Sequence, residues 1–184
     1  MRILIFILPS ILTLCFFNAS GQEKAKHIND IRKEFKSINS DSTLIKVVLN
    51  NEEFLDHATD GGGQLTGFYK GGQLKKMVSW IGLSNGNEIF EFYFSNNKLI
   101  FVYEQFNSFI YDQEKEILRA DTTERTFEGR YYFKDEKLID QVTTGHNRFE
   151  DDSIDPEKTL STQADEYKKL LSRKSQNSRK LNNH

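Results

Sequence analysis

The residues able to do chemistry are few and scattered. His57, with Asp56 beside it and Asp60 three positions on, offers donors that suit a divalent metal, but no second histidine at helical spacing and no cysteine completes a set. Glu150-Asp151-Asp152 with Asp155 supplies oxygens for calcium. The alternating acids, central glycine and closing glutamate of an EF-hand are missing, so a solvated acidic link is expected. Glu91 and Glu104 are expected as neighbours on one wet sheet face, and paired carboxylates can do glycosidase work. With no cleft in view, their expected role is solubility. There is no Gly-x-Ser-x-Gly elbow. Gly61-Gly62-Gly63 lacks both the Gly-Lys-Ser/Thr ending of a phosphate loop and the spaced glycines of a dinucleotide fingerprint, and is expected as a flexible entry to a strand. No catalytic residue, no metal site and no cofactor is therefore assigned.

What remains is a surface. Tyr93, Arg130 and Tyr132 are expected on one mixed sheet face, where aromatic rings beside an arginine make good interface anchors. The elements that would carry them are hairpins. Asn96-Asn97 is a two-residue turn, since asparagine tolerates the left-handed backbone of tight hairpins. Counting outward from it sets Phe94 opposite Leu99, Phe92 opposite Phe101 and Phe90 opposite Tyr103, one apolar patch on a dry face. Phe68-Tyr69 with Leu74, Tyr93-Phe94 with Leu99 and Tyr132-Phe133 with Leu138 repeat the same unit around Gly71-Gly72, Asn96-Asn97 and Asp135-Glu136.

Strands are expected at roughly 43–49, 64–70, 73–82, 87–95, 98–106, 125–134 and 137–144, with 107–123 a surface excursion. Ile28, Ile31, Phe35 and Ile38 mark a helix over 23–40. Asp155-Pro156-Glu157 opens a second helix with the stripe Leu160, Ala164, Tyr167, Leu170 and Leu171. The expected architecture is an α+β fold: an antiparallel meander of six or more strands, with both helices packed on one face.

The N-terminus has its own logic. Arg2, an apolar run from Ile3 to Phe17 and the small exit Ala19-Ser20-Gly21 compose a secretory signal peptide, with cleavage expected after Gly21. Cys15 offers the alternative of an acylated lipoprotein, although Leu14 stands where such signals carry a small residue. The expected organisation is thus a signal peptide at 1–21, one domain at 22–172 and a polar tail at 173–184. Loss of residues 1–21 removes only Arg2 among the charged residues and moves the net charge from −2 to −3. That balance argues against nucleic acid, and no membrane span is expected after the signal peptide.

The Tyr-Phe hairpins with Leu-Ile exits, Tyr93-Phe94 with Leu99-Ile100 and Tyr132-Phe133 with Leu138-Ile139, resemble small exported proteins of Gram-negative bacteria. They are also distantly similar to MORN-like hairpin repeats, over about residues 64 to 144. The resemblance implies hairpin architecture and carries over no catalytic residue. The expected function is an exported, non-catalytic binding module of the bacterial envelope whose partner is an envelope protein or a small ligand. The alternative is a small periplasmic enzyme, hydrolase-like, whose site leaves no local motif.

Overall fold

The computed structural model describes residues 12–181, and the side chains of residues 21–175. Of the export signal expected at 1–21, residues 1–11 lie outside them. Seven strands follow one another in a single antiparallel sheet in chain order, β1 (Ile45–Asn50), β2 (Gly62–Lys70), β3 (Gln73–Leu83), β4 (Gly86–Ser95), β5 (Lys98–Asp112), β6 (Ile117–Lys134) and β7 (Lys137–Thr144). Helix α1 (Leu12–Ser40) precedes the sheet, the single turn α2 (Asn51–Phe54) follows β1, and α3 (Pro156–Leu181) ends the described chain. The α+β meander is as expected.

Three of the hairpins are built alike. Gly71-Gly72, Asn96-Asn97 and Asp135-Glu136 all have positive φ at both residues, between 49° and 78°, the twist that joins right-handed strands through two residues. In each, the first residue after the leucine is then skipped by the ladder: Tyr69 pairs Leu74 but Phe68 pairs Lys76, Phe94 pairs Leu99 but Tyr93 pairs Phe101, and Phe133 pairs Leu138 but Tyr132 pairs Asp140. Lys75, Ile100 and Ile139 are thus bulge residues.

The bulge corrects the expected register. Phe92 pairs Val102 and Phe90 pairs Glu104, not Phe101 and Tyr103. Because side chains alternate between faces, the one-residue shift moves Phe101 and Tyr103 across the sheet, away from Phe90, Phe92 and Phe94.

Both faces are therefore covered. On one, Phe90, Phe92, Phe94, Leu99, Val102, Tyr131 and Phe133 form the larger core with Leu160, Ala164, Tyr167 and Leu171 of α3. On the other, Tyr93, Phe101 and Tyr132 pack beneath Ile31 and Ile38 of α1. The expectation that both helices share a face fails for a simple reason: adjacent aromatics such as Tyr93-Phe94 point to opposite sides, so each side needs its own lid.

Local chemistry fixes the helix ends. Asp155 caps α3, its carboxylate accepting the Lys158 amide at 3.2 Å, and Glu157 accepts the Leu138 amide at 2.8 Å, tying the helix start to β7. The stripe of α3 ends at Leu171, yet the helix continues through the polar stretch to Leu181.

The stretch 107–123 is not an excursion. The ladder runs on to Asp112 opposite Ile117, making a two-stranded ribbon that stands beyond the sheet with Tyr111, Ile117 and Leu118 exposed. Gly61 also has a firmer role than a flexible entry. Its amide donates to the Gly82 carbonyl at 3.0 Å, and a Cβ on it would lie 2.7 Å from the Gly82 Cα.

Candidate functional site

On the α1 face the register lays side chains in transverse rows across β4–β7. Nearest the turns are Tyr93, Phe101, Tyr132 and Asp140; behind them Glu91, Tyr103, Arg130 and Val142; behind those Ile89, Gln105, Glu128 and Thr144. Helix α1 lies across the first row. Phe35 enters it, with its ring centroid 4.9 Å from Tyr93 and edge-on to Phe101 at 5.5 Å, and Phe101 in turn sits 5.0 Å from Tyr132.

Polar contacts hold α1 at both ends of this crossing. Toward β6 and β7, Lys134 meets Glu23 at 2.6 Å and Lys24 meets Asp140 at 2.8 Å. Toward β3 and β4, the Asn39 side chain donates to the Tyr93 hydroxyl at 3.0 Å. That hydroxyl donates to Glu91, and Lys76 closes the network on Glu91 at 2.6 Å and on Asn39 at 2.9 Å. Burial, then the neighbouring Glu91 carboxylate, pushes the Tyr93 phenol well above its usual range, so it stays a neutral donor.

Between these anchors the helix leaves the second row uncovered. A groove of about 530 Å³ opens there, lined by Ile31, Arg32, Phe35 and Lys36 of α1 and by Phe101, Tyr103, Arg130, Tyr132 and Val142 of the sheet. Its volume lies in the range of small-molecule sites, and a mostly apolar lining with a few polar groups is their usual make-up. The Arg32 guanidinium lies over the Tyr132 ring at 5.8 Å and that of Arg130 over Tyr103 at 5.3 Å.

The far edge of the groove is anchored by Glu128. It pairs with Arg130, accepts from Arg125 at 2.8 Å and accepts the Tyr103 hydroxyl at 2.5 Å. The Tyr103 hydrogen bond, more than any of the opposing charges, holds the Glu128 carboxyl below its usual range. The helix edge carries Arg32 and Lys36, neither of which has a carboxylate partner among the described residues.

A second polar group is buried on the α3 face. Glu104 is 3% exposed, accepts the Tyr131 hydroxyl at 3.0 Å and has Arg148 at 3.9 Å. Gly129 makes room for this contact, since a Cβ there would meet the Tyr131 ring and hydroxyl at 2.7 Å. Arg148 rests on Phe90 and Phe149, and Phe149 stands edge-on to Tyr131, so the chain leading to α3 closes over the carboxyl. Burial pushes Glu104 up to about 7 against the pull of Arg148, and burial also raises Glu88. A carboxyl titrating there can give or take a proton near neutrality, but this one is walled in.

Of the residues singled out from sequence, Arg130 and Tyr132 do meet in the groove. Tyr93 shares their face but is fully buried in the network behind Phe35, and Tyr132 is only 3% exposed. Glu91 and Glu104 are not neighbours. Glu91 pairs Tyr103 on the α1 face, whereas Glu104 pairs Phe90 on the other. Among the described residues, no group of three His, Cys, Asp or Glu side chains is placed to hold a metal. Around the candidate acidic link, Glu150 meets His146 at 3.1 Å, Asp151 accepts the Ser153 amide and Asp155 caps α3.

Sequence reasoning missed Tyr103, Arg32 and Lys36. The bulge hid the first. The other two were legible only as polar positions on the flank of the α1 stripe. No described helix is long and apolar enough to cross a membrane. Compared with protein-family models, with curated proteins and with solved structures, the chain matches none.

Proposed function

We propose that the chain is an exported, non-catalytic binding module of the bacterial envelope that receives a small, largely apolar ligand in the groove beside α1. One observation carries this reading: a helix pinned at both ends holds an aromatic-floored groove of about 530 Å³ open along its flank. A sheet that only needed a lid would bury its second row as it buries the first. Export rests on the signal-peptide pattern of Arg2 to Gly21. The buried Glu104, poised near neutrality, supports a second reading as a small hydrolase-like enzyme using it as acid or base. That reading requires the Arg148–Phe149 cover to open.

The test uses a neutral fluorescent probe, N-phenyl-1-naphthylamine, and a variant that fills the groove from its exposed edge, Val142→Trp. The expected result is saturable one-to-one binding by the unaltered chain and at least fivefold weaker binding by Val142→Trp, with the melting temperature unchanged. A probe that does not bind, or that binds both proteins equally, defeats the groove as the ligand seat.

A further inference from the structure

We infer that the groove selects an anionic amphiphile, specifically a medium-chain acyl carboxylate whose head lies against the α1 flank and whose chain runs over the aromatic floor. This rests on the groove being the ligand seat proposed above. The argument is one of charge complementarity across a single apolar site.

Arg32 and Lys36 are one helical turn apart on the flank that borders the groove, both solvent-exposed. Like charges four residues apart repel and weaken a helix, and neither has a carboxylate partner among the described residues to relieve it. Several other cations do meet a carboxylate: Lys24, Lys70, Lys76, Lys98 and Lys134 each have one within 2.8 Å. On the opposite edge of the groove the cations, Arg130 and Arg125, are already matched to one carboxylate. There Glu128 already neutralises Arg130 and takes the Tyr103 hydroxyl.

The groove thus has unmatched cations on its helix side, is apolar across Phe35, Tyr103 and Tyr132, and ends on its far side at Arg130, which is already paired with Glu128. A ligand carboxylate is drawn to the helix edge, where the cations have no carboxylate, rather than to the far edge, where Glu128 already occupies them, and this orients the molecule. Arg32 adds a planar fork suited to a carboxylate head.

The experiment measures dissociation constants by calorimetry for decanoate, 1-decanol, decyl phosphate and acetate, with the unaltered chain and with Arg32→Gln/Lys36→Gln. N-phenyl-1-naphthylamine binding and melting temperature serve as controls on both proteins. The expected result is decanoate at least tenfold tighter than 1-decanol at low salt, acetate without measurable binding, and the preference lost in the double variant while the neutral probe still binds. Added salt should weaken decanoate and leave 1-decanol unchanged.

Equal binding of decanoate and 1-decanol, or a preference that survives the double substitution, overturns the charge assignment while leaving the groove intact. Tighter binding of decyl phosphate overturns the carboxylate head. An acidic peptide that binds through Arg32 and Lys36 where decanoate fails makes the occupant a protein segment and overturns the amphiphile. Failure of the neutral probe as well removes the groove reading itself.

Discussion

The two faces of this sheet are made from the same strands and differ by what their helices bring. On the α3 side a stripe of Leu160, Ala164, Tyr167 and Leu171, with a small residue at its middle, seats itself on continuous rows from Leu65 and Met77 through Phe92 to Phe133. On the α1 side only the row nearest the turns is sealed, and the next is left as a groove edged by charges. The first face holds the fold together. The second can afford an opening because the first does not need its help.

The sharpest test of that division is core truncation. Phe92 is fully buried between Phe90 and Tyr167, so Phe92→Ala should cost about 3–5 kcal/mol in denaturant melts. Val142, 49% exposed at the groove edge, should cost less than about 0.5 kcal/mol when cut to alanine. Similar losses at the two positions would mean that the faces share the load.

Next in size is the buried Glu104 carboxyl inside the α3 face. Burial raises Glu104 from its ordinary 4.5 to about 7, so the native state holds that proton more tightly than the unfolded chain does. Its contribution to stability therefore falls as pH rises from about 4.5 to 7 and stays low above that. Glu104→Gln keeps an acceptor for Tyr131 and cannot ionise. Its stability relative to the unaltered protein should climb between pH 5 and pH 8, by up to about 3 kcal/mol. A difference that stays flat with pH would show that the carboxyl is hydrated and the face less tightly closed.

The smallest effect concerns the polar anchor of α1. Tyr93→Phe keeps the ring and removes the hydroxyl that links Asn39 to Glu91, and should cost about 1–2 kcal/mol by the same melts. No loss at all would mean that α1 is held by its apolar stripe alone.

Much of this architecture was legible in the residues. Two positive-φ turns were marked by Gly71-Gly72 and Asn96-Asn97, and the third followed from its repeated context although Asp135-Glu136 is a poor turn sequence. Both amphipathic stripes pointed correctly to helices. The bulge was not legible, because Leu99-Ile100 and Leu138-Ile139 are apolar at both positions and two registers fit them equally well. The paired aromatics Tyr93-Phe94 and Tyr132-Phe133 did carry a usable signal, since neighbouring residues on a strand cannot face the same side. The ribbon over 107–123 escaped because a ladder without a dry face has no alternation to display. The groove was half visible: Arg130 and Tyr132 lie two residues apart, but Arg32 and Lys36 reach it from a helix almost a hundred residues away in the chain.

That separation sets an order of assembly. Every strand pairs only with the strands next to it in sequence, so the sheet can zip from any hairpin with little loop to close. Helix α1 cannot dock fully so early, because the anchors of its N-terminal half, Lys134 and Asp140, are residues 111 and 116 positions downstream of the residues they bind. As the chain emerges, Phe35 and Asn39 can meet Tyr93 and Phe101 once β4 and β5 exist, but the N-terminal half of α1 stays unanchored until β6 and β7 follow. The two faces thus mature at different times: every wall of the groove under α1 has emerged once β7 exists, whereas the core under α3 waits for Leu160 to Leu171.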